Sequence, residues 1–417
     1  MSFVGIIAEF NPFHNGHKYI IEEAKAKTGC DQVIVIMSGN YVQRGTPAIC
    51  DKQLRTEMAI KNGCDMVIEL PVIYSCASAK YFAEGAVNLL NSLGCVDYLA
   101  FGAEYSDADF LDKIATLLSN EPAYYRERLN HYVKNGYSFP SARENALCDY
   151  MMTNTPDFDE NLYREIMSSP NCILAIEYMC ALMKFKSKIK PFPITRIAAT
   201  YHQLSINEDI CSATALRNIM DDFDNIKEAR TTIPDSVYYI MKEQFDKTFP
   251  IHENDFSYIL GSALINCKDS YQDYFDFSLN FSNRVRNLSE NYHSFTSFAQ
   301  ELATKNNTLS YARRCLTHLM LGIDDAAVCQ AINHGYNYYI RVLGFSKNGK
   351  EIFANMKTSA TLPLVTKIVD SYDSIPKHGK MVLDINIKAD EIYRYVQNIK
   401  YNAKLPVEHR RSLVITK

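Results

Sequence analysis

Short apolar runs alternate with longer helical segments over the first hundred residues. The apolar runs are Phe3–Glu9, Gln32–Ser38, Asp65–Leu70 and Asp97–Phe101. The helical segments are His14–Lys27, Asp51–Lys61 and Ala79–Leu93, and a loop is expected at Gly39–Pro47. Short strands that are apolar throughout are typical of a parallel sheet covered on both faces. Their alternation with helices predicts an α/β fold with a right-handed, doubly wound parallel sheet.

The rest of the chain is predicted to be mainly helical, with two further strands. Helices are expected over about 107–186 and over most of 225–335, with strands at Pro193–Ala199 and Tyr338–Gly344. The pattern delimits single helices at Ser212–Met220, Leu309–Gly322, Asp325–Gly335 and Asp390–Ile399. Because 417 residues exceed the usual size of one core, we expect an α/β domain over residues 1–225 and a mainly helical α+β domain over residues 226–417.

Composition restricts the class of protein. Hydrophobic residues make up 47% of the chain and charged residues 22%, as in folded globular proteins. No apolar run approaches the roughly 20 residues that cross a bilayer, and Glu9 interrupts the N-terminal run, so we expect a cytoplasmic protein without a membrane partner. The twelve cysteines form no CxxC pair, which favours reduced core thiols over a metal site.

Charge is distributed unevenly along the chain. Residues 301–417 contain 17 Lys and Arg against 10 Asp and Glu, a net charge of +7. Residues 1–300 contain 27 against 38, a net charge of −11. A basic C-terminal third is compatible with a polyanionic partner and equally with an ordinary solvated surface. If the partner is RNA, the candidate contacts are Arg313, Arg314 and Arg341.

The strongest candidate site is the sequence NPFHNGH at residues 11–17, between the first strand and the first helix. Ligands of open α/β sheets bind beyond the C-terminal ends of the strands, where a helix N-terminus offers free N–H groups. Gly16 permits close approach of a ligand to the backbone. His14 and His17 are three residues apart, so both imidazoles can face one phosphate. They are therefore predicted to be catalytic, as oriented donors to a phosphate under attack.

A second motif, SATALR at residues 212–217, reads as the start of a helix. Ser212 and Thr214 can cap this helix and bind phosphate oxygens, and Arg217 offers a planar pair of donors to phosphate. Alone, this is ordinary helix sequence. It indicates a phosphate site only in combination with the NPFHNGH motif.

Together the motifs resemble the HIGH-type nucleotidyltransferase superfamily, and within it the bacterial tRNA(Met) cytidine acetate ligases. The similarity rests on AEFNPFHNGH at 8–17, SGNYVQRG at 38–45, FGAE at 101–104, SSPNCIL at 168–174, ATYH at 199–202 and YIRVLGF at 339–345. It extends over essentially the whole chain. Cys172 stands where a second Asn is usual, and Cys211 where Ile is common.

This resemblance implies a specific activity. The family activates acetate with ATP as acetyl-adenylate and acetylates the wobble cytidine of elongator tRNA(Met) to N4-acetylcytidine, without acetyl-CoA. Mg²⁺ is expected to be held mainly by the nucleotide, with no metal site in the protein. The implied ATP-binding residues are Ile7, Ala8, Glu9, Phe10, Asn11, Pro12, Phe13, His14, Asn15, Gly16, His17, Lys18, Tyr19, Ile20, Gly102, Asn171 and Arg196. A loop near the expected acyl site carries Ser38, Gly39, Asn40, Gln43 and Arg44.

Two other functions remain open from the sequence. One is an adenylyltransferase that makes a dinucleotide cofactor, which would share the HxGH chemistry but would not require the long basic C-terminal region. The other is a non-catalytic RNA-binding protein on the same scaffold. Intact His14, Gly16, His17, Thr214 and Arg217 argue against the second.

Overall fold

A computed structural model describes residues 2–156, 158–196 and 213–416 as a mixed α/β structure. The strands are β1 Phe3–Ala8, β2 Gln32–Ser38, β3 Tyr41–Val42, β4 Thr46–Pro47, β5 Met66–Leu70, β6 Tyr98–Ala103, β7 Lys190–Thr195, β8 Ile340–Phe345, β9 Leu364–Val365 and β10 Val414–Ile415.

Helices flank the strands and fill most of the chain after β6. They are α1 Asn15–Thr28, α2 Lys52–Lys61, α3 Val72–Ser75, α4 Ala79–Leu93, α5 Ala108–Asn120, α6 Ala123–Lys134, α7 Phe139–Asn154, α8 Glu160–Ser168, α9 Pro170–Lys184, α10 Ala213–Ile219, α11 Phe223–Glu228, α12 Asp235–Gln244, α13 Ser257–Asn266, α14 Leu279–Leu288, α15 Phe295–Leu302, α16 Leu309–Leu321, α17 Asp325–Asn333, α18 Gly349–Ser359, α19 Ile368–Ser371 and α20 Lys377–Tyr401.

The central sheet confirms the predicted fold class. Its strand order is β10-β8-β5-β2-β1-β6-β7, with β9 paired to β8. The five strands from β5 to β7 in that order are parallel to one another. After β1 the chain adds β2 and β5 on one side of this strand, and it then adds β6 and β7 on the other side. The C-terminal end of β1 is therefore the point at which a doubly wound sheet forms its ligand crevice.

Both faces of the sheet are buried, which explains why its strands are apolar throughout. Along β2, Ile34 and Ile36 face one core and Val33 and Val35 face the other, all at 0% exposure. The first core is completed by helices that include α4, α9, α16 and α20, and the second by α1, α2 and α12. Successive strand residues point to opposite faces, so a doubly covered strand needs apolar residues at every position.

Most predicted elements have the expected type, and three differ in extent. The expected Gly39–Pro47 loop contains the hairpin of β3 and β4. The strand expected at Pro193–Ala199 begins already at Lys190, and residues 197–199 lie outside the described residues. The helix expected at Asp390–Ile399 extends over all of α20, because tertiary packing buries apolar residues along its length, from Val382 to Val396.

Strands from the C-terminal part of the chain belong to the same sheet. β8 pairs antiparallel with β5, with Met66 opposite Phe345, and β10 pairs parallel with β8. Residues before and after 225 therefore share one sheet, and the proposed domain boundary there stays a prediction.

In the part of the chain that the structure describes, no single helix is long and apolar enough to span a membrane. The pair α8 and α9 passes that test together by length and composition, but it is bent by 88°.

One glycine in α4 tests the tightness of the core. A Cβ at Gly85 would lie 2.4 Å from the ring of Tyr74, whose hydroxyl is fixed by a 2.6 Å bond to the carbonyl of Tyr336. We expect Gly85→Ala to lower the free energy of unfolding by about 1–3 kcal/mol, because the clash outweighs the higher helix propensity of alanine. Denaturant unfolding measures this change.

The matched control is Gly261→Ala in α13. There the added Cβ would lie 3.1 Å from the edge of the Tyr292 ring, so a shift of a few tenths of an ångström would relieve the contact. We expect this variant to stay within about 1 kcal/mol of the wild type. Equal stability changes in the two variants would contradict the packing described around Gly85.

Candidate active site

The predicted site residues converge at the C-terminal edge of the sheet, around the end of β1. Residues 9–17 connect β1 to the N-terminus of α1. Gly102 lies near the end of β6, and Arg196 directly follows β7. Asn171 lies in the first turn of α9. Of the ATP-binding positions predicted from the sequence, Ile7 and Ala8 end β1, while Lys18, Tyr19 and Ile20 lie in α1.

His14 and His17 cap the N-terminus of α1 with their own rings. Nδ1 of His14 accepts a hydrogen bond from the N–H of Gly16 at 3.0 Å. Nδ1 of His17 accepts one from the N–H of His14 at 3.3 Å. A nitrogen that accepts a hydrogen bond carries no proton, so each neutral ring holds its proton on Nε2. The capping arrangement thus leaves both Nε2–H groups as donors.

The two rings are also held uncharged. Their centroids are 3.7 Å apart, and His14 is only 2% exposed. Burial, followed by the charges of Arg196 and Arg217, lowers the pKa of His14 to about 3. Burial, followed by His14 and Arg196, lowers the pKa of His17 well below its ordinary value. At neutral pH the site therefore presents two neutral imidazoles beside two arginines.

Aromatic packing and side-chain bonds fix the NPFHNGH segment. The rings of Phe10 and Phe13 lie 4.9 Å apart and pack on His17 at 5.0 and 5.6 Å. Oδ1 of Asn11 accepts the N–H of Ile49 at 2.8 Å. Nδ2 of Asn15 donates to the carbonyl of Thr231 at 2.7 Å. The residues before His14 thus support the histidines structurally.

Arg217 connects the second predicted motif to the first. Its Nη1 donates to the carbonyl of Asn11 at 2.8 Å, and its Nη2 to Oγ1 of Thr214 at 2.9 Å. The structure therefore brings Thr214 and Arg217 to the histidine site, as a shared phosphate site requires. Ser212 lies outside the described residues.

A buried arginine that the sequence reasoning missed joins the ends of β1 and β2. Arg55 in α2 is 0% exposed, and its guanidinium donates to the carbonyls of Glu9 at 2.7 Å, Ser38 at 3.0 Å and Cys50 at 2.9 Å. It also donates to the carbonyl of Gly39. The sequence offered one indication that Arg55 is buried. It lies three and four residues before Met58 and Ala59, on the face of α2 that the apolar residues occupy.

The positions predicted on β6, β7 and α9 meet on the other side of β1. A Cβ at Gly102 would lie 3.0 Å from Ile20 and 3.1 Å from the side chain of Arg196, so any larger residue would crowd both side chains. Nδ2 of Asn171 donates to Oε1 of Glu104 at 2.6 Å. Oε2 of Glu104 accepts the N–H of Cys172 at 3.1 Å. Glu104, which the predicted set omitted, thus orients the amide of Asn171.

The predicted acetate loop lies against the ATP motif. The N–H of Gln43 donates to Oε1 of Glu9 at 2.8 Å. Ser38 is fully buried at the end of β2, and its hydroxyl has no hydrogen-bond partner among the described residues. Asn40 is 6% exposed and bonded inside the protein, while Arg44 is exposed on the hairpin. A role of this loop in acetate binding stays a prediction.

The three arginines predicted to contact RNA lie in different surroundings. Arg313 is paired with Glu253 at 2.7 Å, and Arg314 with Asp276 at 3.4 Å. Both lie beside the loop, since a Cβ at Gly45 would meet their backbone. Arg341 is 4% exposed and paired with Glu408 at 2.9 Å. The expectation that Arg341 contacts RNA is therefore corrected, because its charge is enclosed in the protein.

One group of carboxylates has metal-ligand spacing among the described residues, formed by Glu69, Asp390 and Glu408. Nζ of Lys52 lies 2.5–2.9 Å from an oxygen of each. The lysine occupies the place that a cation would take. At the histidine site, imidazoles predominate, whereas Mg²⁺ prefers oxygen ligands.

This fold and site define a nucleotide-binding α/β protein with an HxGH motif at its sheet crevice. A family model, HIGH Nucleotidyl Transferase, matches residues 1–406. The chain is 34% identical over 395 residues to the tRNA(Met) cytidine acetate ligase of Clostridium tetani, covering 94% of this chain and 95% of that protein. It is 40% identical over 394 residues to the ligase of Thermoanaerobacter pseudethanolicus, with the same coverage.

Solved structures agree with this similarity. Thermotoga maritima TmcAL bound with α-thio ATP is 30% identical and superimposes with a TM-score of 0.88, covering 95% of both chains. Its apo form is also 30% identical, has a TM-score of 0.93 and covers 100% of this chain and 99% of that one. The chain belongs to the HIGH nucleotidyltransferases and, within them, to the tRNA(Met) cytidine acetate ligase family, which confirms the resemblance drawn from its motifs.

The lowered histidine pKa values predict an acid-sensitive fold. Between the folded pKa of His14, about 3, and its ordinary value of 6.5, the unfolded chain binds more protons than the folded chain. Stability is therefore lost as the pH falls through this window. Between pH 7 and pH 5 we expect the wild type to lose about 1–2 kcal/mol more free energy of unfolding than His14→Asn, which keeps a good N-cap. Equal losses would contradict a neutral, buried His14.

Proposed function

We propose that this chain activates acetate with ATP as acetyl-adenylate and transfers the acetyl group to the wobble cytidine of elongator tRNA(Met). The observation that carries the proposal is the pair of neutral Nε2–H donors of His14 and His17 at the sheet crevice. Family membership over the whole chain supports the choice of substrates.

In the first step, an acetate oxygen attacks the α-phosphorus of ATP and pyrophosphate leaves. Negative charge spreads over the phosphate oxygens as this happens, so oriented donors lower the barrier. His14 and His17 provide such donors without a charge of their own. Arg196 and Arg217, whose charges already act on His14, neutralise the phosphates. Mg²⁺ would be carried mainly by the nucleotide and would add charge neutralisation there.

Acetate is proposed to bind at the end of β2. The buried Ser38 hydroxyl is a donor without a partner among the described residues. It lies on the strand next to β1, one residue beyond the Ala8–Met37 pairing. Gly39, Asn40, Gln43 and Arg44 belong to the loop that follows this position.

In the second step, the exocyclic N4 amine of cytidine attacks the acetyl carbonyl carbon. The C–N bond forms, the C–O bond to AMP breaks, and the amine loses a proton. AMP leaves with the bonding electrons on its single phosphate group, and the proton passes to solvent. This route consumes acetate and ATP and needs no acetyl-CoA, and it fits a cytoplasmic tRNA-modifying enzyme.

Exposed basic residues of the C-terminal part of the chain lie at both edges of the sheet. Lys404 and Arg410 are exposed near Glu408, which is bonded to Lys52 at the start of α2, on the same edge as the histidines. We propose that tRNA phosphates bind there. Lys347 and Lys350 are exposed at the opposite edge of the sheet. Their position there is shown by Asn348, whose carbonyl accepts a hydrogen bond from Gln32, the first residue of β2. Arg313 and Arg314 remain candidate contacts beside the loop.

Replacing the two histidines with capping residues tests their chemical role. His14→Asn and His17→Gln keep side-chain oxygens that can cap α1 but remove the imidazoles. We expect each to lower the rate of acetate-dependent pyrophosphate release by roughly 10²–10³. ATP affinity is expected to change much less, and the melting temperature very little.

Substrate controls distinguish the alternative enzymes. Pyrophosphate release with phosphopantetheine but not with acetate would favour a dinucleotide-forming adenylyltransferase. No release with either acceptor would favour a non-catalytic RNA-binding protein. Wild-type rates in both histidine variants would show that the site lies elsewhere.

Charge reversal tests the tRNA surface. Lys404→Glu with Arg410→Glu is expected to weaken tRNA binding and to flatten the dependence of log affinity on log salt by about 0.7–0.9 per lost phosphate contact. Acetyl-adenylate formation without tRNA is expected to continue. The matched control is Lys347→Glu with Lys350→Glu at the opposite edge, which changes the net charge equally. Equal effects of the two pairs on affinity would contradict this placement.

A further inference from the structure

A buried charge cluster links the C-terminal helix α20 to the start of α2. Nζ of Lys52 lies 2.8 Å from Glu69, 2.5 Å from Asp390 and 2.9 Å from Glu408. All four side chains are at most 5% exposed. Arg341 adds a second cation through its 2.9 Å bond to Glu408. Residues from α2, β5, β8, α20 and the C-terminal segment therefore meet at one point.

Such a cluster is costly to bury and adds little net stability, compared with apolar residues of similar volume. Its charges are nearly balanced. Burial raises the pKa of Asp390 well above its ordinary value. The carboxylates of Glu69 and Glu408 raise it further, whereas Lys52 opposes the change. A neutral Asp390 would leave two cations and two carboxylates. Buried ionic groups that add little stability can instead select one relative position of the segments that carry them.

The segment that Asp390 fixes is the loop after β2. Oδ1 of Asp390 accepts a hydrogen bond from Nδ2 of Asn40 at 2.8 Å. Oδ1 of Asn40 accepts the backbone N–H of Lys52 at 2.8 Å. The carbonyl of Asn40 accepts the N–H of Ala48 at 2.9 Å. Asn40 therefore closes the hairpin upon itself and anchors it to α20.

The same loop contacts the ATP motif at two places. The N–H of Gln43 bonds Glu9, and the N–H of Ile49 bonds Asn11. Both accepting side chains belong to the segment that leads into His14. A displacement of the loop would therefore reach the reacting groups, and a misplacement of about 1 Å can cost about 100-fold in rate.

We infer that Asn40 and Asp390 are positioning residues, whose hydrogen bond holds the loop of residues 38–51 in the geometry that acetate activation requires. This inference rests on the proposed adenylylation of acetate. It assigns to α20, far from β1 in sequence, a direct part in ordering the acyl side of the site.

The test compares Asn40→Ala, Asp390→Ala and the double variant by acetate-dependent pyrophosphate release. Asp390→Ala leaves Lys52 paired with Glu69 and Glu408, so no unpaired charge is created. We expect each single variant to lower kcat/KM for acetate by about 10–100-fold, with the dissociation constant for ATP changed less than about threefold. Because both substitutions remove the same Asn40–Asp390 bond, the double variant is expected to lose little more kcat/KM than either single variant.

A matched control lies one turn away in α20. Asn386 is also buried and also donates to Asp390, at 3.2 Å, but its Oδ1 accepts the N–H of Val72 rather than a group of the loop. Asn386→Ala is expected to lower the melting temperature about as much as Asn40→Ala while keeping kcat/KM for acetate. Asp390→Asn keeps an oxygen for Asn40 and is expected to restore most of the activity that Asp390→Ala loses.

The outcomes separate this inference from the proposed function. A wild type without acetate-dependent pyrophosphate release would refute the proposed function itself. With an active wild type, unchanged kcat/KM in Asp390→Ala, additive losses in the double variant, or an equal loss in Asn386→Ala would each overturn the positioning role. If Asn40→Ala does not fold, Asp390→Ala with Asp390→Asn supplies the same test of the bond.

Discussion

The edge of the sheet that carries the candidate site depends on one buried guanidinium. Arg55 bonds the carbonyls at the ends of β1 and β2 and at the end of the following loop, and its side chain is fully buried. A buried carbonyl left without a donor costs about 1–3 kcal/mol, so one side chain that bonds several of them stabilises this edge of the sheet. Only arginine has enough donors in a planar fork to satisfy them together. The path of the chain into His14 follows from this arrangement.

The helix that carries Arg55 also carries Lys52, one turn earlier, and the two cations bind different parts of the protein. Arg55 bonds backbone of the N-terminal strands, whereas Lys52 bonds carboxylates from β5, α20 and the C-terminal segment. The N-terminus of α2 thus joins the nucleotide site to the C-terminal part of the chain. The same contacts lie at the end of β5 where β8 begins, so the ion pairs and the β5–β8 pairing join the same distant segments.

The sequence predicted the structure well where residues close together in the chain determine it. Apolar runs predicted β1, β2 and β5, and strand–HxGH–helix order predicted the crevice at the end of β1. Pairing of distant segments left no local signal, so the position of β8 in the sheet could not be predicted. Counting charges could not show that one of the basic residues, Arg341, is buried. Arg341 adds to a basic excess, but its ion pair with Glu408 encloses it, and only the fold brings those two residues together.

Histidine at the N-cap of α1 fits the proposed phosphate chemistry, whereas helix stability alone would favour another residue. Asp or Asn would cap more strongly. Aspartate would repel the phosphates, however, and asparagine would use its oxygen for the cap on a shorter, amide side chain. Histidine caps through Nδ1 and still carries Nε2–H on the far side of the ring, so one residue both ends the helix and donates outward. Burial and the nearby charge of Arg196 keep the His14 ring neutral. Its Nε2–H group can therefore donate to a phosphate without a positive charge on the ring.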